Sequence, residues 1–459
     1  MTLAAQQLRQ LPIAVIGAGP IGLAAAAQAH ERGLDVIVFE AGDHAGAAVA
    51  SWGHTRLFSP WEFLVDAAAA RLLDASDWDA PVATRIPHGR DLVESYLIPL
   101  SNTPELKPVI QYRSTVIAVS RQGMDKTRSA GREHAPFVLR VQTPTGTSSV
   151  AASAVIDTSG TYGTPNNLLS SGLEPTNNAA VRRFITGALP DVLGVDRHRF
   201  VGQHTVVVGA GHSAANTLLK LAELAATEAN TRISWVIRSR TPQRVYGSAA
   251  DELPARGELG GMVNALVDSG RVTLIDSYEI DNIVADASAS GVVLNGRRAG
   301  EPYSVAANVV VNATGFRPNL DFLREIRLSL DEVIEAPRML APLIDPNMHS
   351  CGTVYPHGVD ELAHPEPNFF IAGMKSYGRA PTFLLATGYE QVRSIADELA
   401  GNHAAARQVQ LVLPETGVCM TVAPTADCSG EGAVNDSGDC SVDAATTAGS
   451  CGRETSALI

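Results

Sequence analysis

Four consecutive apolar residues at 13–16 lead into a glycine turn, an uncharged alanine-rich stretch to residue 29, and a second apolar run at 36–39. Continuous apolar runs of this length mark parallel strands covered on both faces, so the pattern predicts a strand–turn–helix–strand unit over 11–40. Its helix should end at Gly33, a residue that tolerates the positive φ of a helix C-terminus. The unit recurs: an apolar run at 205–208, a glycine turn, a helix over about 214–226 and a strand at 233–237. Between the copies, a short amphipathic helix is expected over 90–100. A meander follows, with strands at 116–120, 138–142 and 149–150 and a charged loop at 121–134. A buried strand at 154–156 then ends in Asp157-Thr158-Ser159-Gly160. The second copy closes in the same way, with a strand at 309–311 and Asn312-Ala313-Thr314-Gly315. A last short strand, 368–372, leads through Gly373 into a helix over about 382–399.

The two glycine turns carry the candidate chemistry. Gly17, Gly19 and Gly22 form G-x-G-x-x-G, with Pro20 inside it; Gly209, Gly211 and Ala214 form G-x-G-x-x-A around His212 and Ser213. In such a turn the first glycine permits the reversal, the second lets backbone approach a pyrophosphate, and the third position lets helix and strand pack closely. The ends of the second strands differ. Glu40 closes the first unit and suits a ribose hydroxyl, whereas Arg238 closes the second, with Arg240 and Arg244 close behind. Guanidinium groups bind a 2′-phosphate that an acid would repel, which points to FAD in the first unit and NADPH in the second. Gly160, Thr314, Gly315, Gly373 and Thr382 complete the expected cofactor-facing set. The helix after Gly373 is expected to aim its N-terminus at the reduced flavin. In the loop after the first unit, Trp52, His54 and Arg56 are the candidates for contact with the flavin ring.

The expected fold is therefore α/β, with two Rossmann-like three-layer domains: an FAD domain (10–165 and 309–410) interrupted by an NADPH domain (166–308). Residues 414–459 have almost no large apolar side chains and read as a disordered, cysteine-containing tail. The chain's 459 residues suffice for two or three domains, and a formal net charge of −13 argues against nucleic acid or an anionic membrane as partner. The glycines and proline within 11–29 fit a turn better than a spanning helix, and no basic segment with a cleavage site precedes them, so the expected location is the cytoplasm. Cys351 is the only cysteine before Cys419, Cys428, Cys440 and Cys451. The tail spacings of 9, 12 and 11 residues contain no C-x-x-C, and no metal centre is expected. Cys351, His357, Asp360, Glu361 and His364 form a polar group on a proline-rich loop that can bind substrate or be plain surface.

With these motifs in place, the chain resembles the two-dinucleotide-binding-domain flavoproteins, specifically the class B flavin monooxygenase group, through GAGPIG at 17–22, GAGHSA at 209–214 and ATG at 313–315. The stretches SWGHTRLFSPW, RSRTPQRVYG, LIDPNMHSCGTVYPHGVDELAHPEP and GMKSYGRAPTFLLATGYEQVRS are similar to flavin-binding monooxygenase-like proteins of actinobacterial arsenic-resistance clusters. The resemblance implies that NADPH reduces FAD, which then uses O2 to oxidise a small soft nucleophile, with a role in arsenic or organoarsenical detoxification. One departure stands out. The group's F-x-G-x-x-x-H-x-x-x-aromatic fingerprint is not met here: Phe184 and Gly187 lie in FITGALPDVLG, and no histidine follows at the required spacing. Two alternatives stay open: a flavin reductase that uses the tail cysteines as a thiol relay or metalloid-binding arm, and a flavoprotein that binds metalloid without turnover.

Overall fold

The computed structural model describes residues 8, 10–242, 254–345, 356–380 and 383–411. In chain order, β1 (Ile13–Ile16), α1 (Pro20–Glu31) and β2 (Val36–Phe39) form the first unit, and β3 (Ile110–Gln111) follows. The meander is β4 (Thr115–Arg121), β5 (Phe137–Thr143) and β6 (Gly146–Ala152), after which comes β7 (Ala154–Asp157). The second unit holds β8 (Ile185–Thr186), β9 (His204–Val208), α2 (His212–Thr227), β10 (Arg232–Val236), α3 (Pro254–Asp268) and β11 (Thr273–Ile275). A second meander of β12 (Tyr278–Ala285), β13 (Val292–Arg298) and β14 (Glu301–Ala307) precedes β15 (Val309–Asn312). The chain then reaches β16 (Phe369–Ile371) and α4 (Leu385–Leu399). The segment expected as a helix over 90–100 is helical from Gly89 to Ser101, with a π-helical stretch at Val93–Leu97.

The strands make two five-stranded sheets, β16-β7-β1-β2-β3 and β11-β10-β9-β15-β8, each parallel at every pairing. Strand alternation sends neighbouring side chains to opposite faces, and each sheet uses both. In the first, Ile13 and Val15 pack with the helices, while Ala14 and Ile16 pack with Val119, Phe137 and Leu139 of the meander. In the second, Val207 and Val309 face the side of α2 and α3, while Val206 and Val310 meet Tyr278 and Leu294 of the other meander. Each domain is thus three layers: helices, parallel sheet, antiparallel meander.

β15 pairs with β9 and β8, so it belongs to the second sheet. This corrects the expected return to the first domain at residue 309: the return to the first sheet comes with β16, which pairs with β7. Two crossing segments join the domains. Pro165 and Phe316 form an antiparallel bridge, Asn166 N donates to Gly315 O at 2.9 Å, and Arg317 N donates to Thr164 O at 3.0 Å.

Candidate functional site

Both glycine turns leave the same kind of space. Gly17 sits at φ +100°, and a Cβ there would lie 3.1 Å from Thr158 O. A Cβ on Gly22 would lie 1.9 Å from Gly17 O, so helix and turn touch directly. Gly19, by contrast, would meet no protein atom within 4 Å. The second turn repeats this: a Cβ on Gly209, at φ +133°, would lie 2.0 Å from Ala313 O, while Gly211 opens on empty space. Gly19 and Gly211 are the N-caps of α1 and α2, and no side chain caps either helix. The N-terminus of each helix, the positive end of its dipole, therefore sits at its glycine turn, where it favours an anion. The open glycine beside a closed one, twice over, fits a dinucleotide pyrophosphate at each turn.

Glu40 ties the first turn together. Its carboxylate accepts from Ala18 N at 2.6 Å and from Gly42 N at 2.7 Å, so the end of β2 is bound to the glycine loop. Each oxygen keeps a second lone pair for a ribose hydroxyl. At the matching place in the second unit, Arg238 and Arg240 are exposed and form no ion pair among the described residues. Arg244 and Thr382 lie outside the described residues, as do Cys351 and the whole tail with Cys419, Cys428, Cys440 and Cys451.

The closing turns also match. Asp157 Oδ1 accepts from Ser159 N at 3.1 Å and Ser159 Oγ at 2.6 Å. Asn312 Oδ1 accepts from Thr314 N at 3.3 Å and Thr314 Oγ1 at 2.7 Å. Gly160 and Gly315 follow these turns, both at positive φ. Gly373, at φ +71°, lies against Ile21 at the start of α1, and its N–H is held by Gln391 Oε1 at 2.7 Å. Ile21 also contacts Gly388 near the start of α4, and Arg32 pairs with Asp397 near its end. The two helices therefore run side by side in the same direction, and their N-termini converge at the C-terminal edge of the first sheet.

The loop with Trp52, His54 and Arg56 is pinned to residues 87–90: Leu57 N donates to Pro87 O, Gly89 N to Thr55 O and Arg90 N to Gly53 O. The Trp52 ring lies on Gly89, where a Cβ would come within 2.7 Å of it. Trp52 and His54 are half-buried, and Arg56 is exposed. The loop reaches both domains. Phe58 packs with the core of the second domain and meets the ring of His212. Tyr162, just past the first closing turn, lies 5.1 Å from Phe316 ring to ring; burial raises its phenol pKa against an opposing hydrogen bond with Ser51.

The polar group on the proline-rich loop does not assemble. His357 is buried, its Nε2 accepting from Gln391 Nε2 at 2.8 Å, rather than offered to a substrate. Asp360 pairs with Arg407, Glu361 accepts from Gly358 N, and His364 Nδ1 accepts from Ser329 N. Each of these four is turned to its own backbone or side-chain partner, which favours the plain-loop alternative for the described members of the group. No metal-holding group of His, Cys, Asp and Glu occurs among the described residues.

Sequence reasoning missed Lys375, which is wholly buried 2.6 Å from an equally buried Asp157. The available signal was a lysine two residues past Gly373 in an otherwise apolar segment. Phe58 and Phe316 were also missed, each an aromatic whose contact lies in the other domain.

Two parallel sheets with two open glycine turns on one chain define a two-dinucleotide flavoprotein oxidoreductase. A family model described as pyridine nucleotide-disulphide oxidoreductase matches residues 14–351, and the chain belongs to this family. It is an NAD(P)H-dependent FAD oxidoreductase. No curated protein matches its sequence. Among solved structures it is similar to the bacillithiol disulfide reductase of Bacillus cereus (TM-score 0.60, 19% identity, covering 86% of this chain and 99% of that one). It is also similar to the FAD-bound cadaverine monooxygenase of desferrioxamine biosynthesis from Erwinia amylovora (TM-score 0.61, 12% identity, 88% and 98% covered). A third is the ornithine N-hydroxylase of Kutzneria sp. 744, with reduced FAD and NADP+ (TM-score 0.53, 13% identity, 87% and 100% covered). These likenesses concern the fold. No helix among the described residues is long and apolar enough to cross a membrane.

Proposed function

We propose that the protein is an NADPH-dependent FAD monooxygenase that oxidises a small soft nucleophile, trivalent organoarsenicals being the class to which its loop sequences point. The first turn, with Gly17, Gly19, Pro20, Gly22, Glu40, Gly160 and Gly373, holds FAD. The second, with Gly209, Gly211, His212, Ser213, Thr314 and Gly315, holds NADPH, and Arg238 and Arg240 take its 2′-phosphate. Bound FAD supplies a two-electron acceptor for NADPH and the means to activate O2. The chain's own contribution is placement: the loop from Trp52 to Phe58, pinned on Gly89 at one end and on His212 at the other, helps to orient the two cofactors, and orientation of this kind can account for about 7–11 kcal/mol of a barrier.

The observation that supports oxygenation over thiol exchange is the cysteine distribution. No cysteine precedes Cys351, so neither glycine turn nor closing turn carries a cysteine next to it in the sequence. A disulfide reductase needs a redox cysteine pair at the flavin. Only the tail can furnish one, and its four cysteines favour the second reading, a reductase with a thiol relay.

The test is turnover with NADPH, O2 and methylarsenite, measuring oxidised arsenical and hydrogen peroxide together. Each NADPH and O2 should yield one oxidised substrate and one water, with little peroxide. Peroxide matching all the O2 consumed, with no effect of substrate, contradicts oxygenation. Truncation after Leu413 should leave these rates unchanged; loss of activity on disulfides or arsenicals would favour the relay.

A further inference from the structure

The two closing turns are built alike but braced differently. Both use an oxygen of the last strand residue to bind the backbone and hydroxyl two residues on, Asp157 in the first domain and Asn312 in the second. A neutral Asn suffices for this turn. The first domain instead places a charge there and a buried lysine against it. Burying an ion pair carries a desolvation penalty that a neutral pair avoids. The charge pair is therefore not explained by the turn itself.

Lys375 has a partner in every direction its ammonium points. It donates to Asp157 Oδ2 at 2.6 Å and to Ser159 Oγ at 3.0 Å, and it lies 4.5 Å from the centre of the Phe322 ring. Asp157 and Ser159 belong to the turn that touches the first glycine loop: Thr158 Oγ1 donates to Ile16 O at 2.8 Å, and its carbonyl bounds Gly17. Lys375 itself comes from the other side, two residues after Gly373, where α1 and α4 begin. The ammonium thus joins three strand ends, β1 through the Thr158 contact, β7 through Asp157 and β16 through its own backbone. Ser159 is exposed toward solvent although the pair it completes is not.

We propose that Lys375 is a positioning residue for FAD: by locking Asp157 and Ser159 to the Gly373 segment, it sets the width of the crevice at the first glycine turn. The proposal rests on the reading that this turn holds FAD. It also explains the asymmetry. A crevice that retains its cofactor through many turnovers gains from a rigid floor, whereas one that exchanges NADPH for NADP+ at each turnover does not.

The test compares Lys375→Met, Ser159→Ala and the double variant Asp157→Asn/Lys375→Met with the wild type, as full chains. The double variant reproduces the neutral turn of the second domain and so is expected to fold even if Lys375→Met alone does not. The readouts are the FAD dissociation constant, the visible spectrum and midpoint potential of the bound flavin, and the NADP+ dissociation constant. Removing a hydrogen-bonded charge should weaken FAD binding about tenfold or more in both lysine variants and less in Ser159→Ala, with a shifted flavin spectrum. NADP+ affinity should stay unchanged. A folded double variant with wild-type FAD affinity, spectrum and potential overturns the role of Lys375, even if its melting temperature falls. A wild-type protein that takes up no FAD overturns the reading of the first turn and the proposal with it.

Discussion

The ring of Phe58 meets the ring of His212 edge-on, at 5.2 Å between centroids and 63° between planes. The first residue follows the loop expected at the flavin; the second opens the helix at the other glycine turn. This contact joins the loop carrying Trp52 to the expected NADPH site. An edge-to-face pair contributes about 0.5–1.5 kcal/mol. Phe58→Ala should therefore raise the KM for NADPH about two- to tenfold and leave FAD content unchanged, as steady-state kinetics and released-flavin assays would show.

Two glycines in one motif should respond oppositely to alanine. Gly19 has φ −77° and open space around its Cβ position, so Gly19→Ala should fold with wild-type stability yet lose most of its bound FAD. At Gly22 the new carbon would meet a backbone oxygen at 1.9 Å, so Gly22→Ala should be destabilised by about 1–3 kcal/mol or more. Thermal melts with and without added FAD separate the two. If Gly19→Ala retained the flavin, the turn would not be the pyrophosphate site.

Glu366 is buried between Arg121 and Arg132, with nitrogen–oxygen distances of 2.8 Å to each. Arg121 also lies over the Phe137 ring, and the trio ties the first meander to the segment leading into β16. Removing the carboxylate strands two buried cations. Glu366→Ala should lose about 3–5 kcal/mol of stability, and Glu366→Gln less, measured by denaturant titration.

Burial pushes the His364 imidazole down to about 4 from its ordinary 6.5, against a smaller upward effect of the Ser329 N–H contact. Between these values the unfolded chain binds a proton that the native one does not, so stability rises with pH across that window. The gain is fully present above pH 6.5 and is lost as pH falls toward 4, on the order of 3 kcal/mol. Replacing His364 with Leu should flatten this limb of the stability–pH curve.

What the sequence made legible is what local pattern encodes. Ile13–Ile16 and Val36–Phe39 read as buried parallel strands because each is a continuous apolar run, and both glycine turns read correctly because helix, strand and cap surround them. The membership of Val309–Asn312 was half legible: its likeness to the first closing strand was visible, but the domain boundary was not, since pairing with β9 leaves no local trace. The buried charges were not legible at all. Lys375 and Asp157 lie 218 residues apart, and Arg121 and Glu366 lie 245 apart, so nothing in hydrophobic period distinguishes them from solvated charges. For the polar group at His357 the sequence left substrate loop and plain loop open, and nearness in sequence did not bring its described side chains to one point.

The central claim is that one chain holds FAD at its first glycine turn and takes electrons from NADPH at its second. Anaerobic titration of the purified, FAD-loaded protein with NADPH, followed at the flavin absorbance band, tests it most directly. One equivalent of NADPH per bound FAD should bleach the band, and Arg238→Ala and Arg240→Ala should need far higher NADPH, but not NADH, for half-maximal rate of bleaching, with the one-to-one endpoint unchanged. A protein that binds no FAD, or whose bound flavin stays oxidised under excess NADPH, would contradict the account.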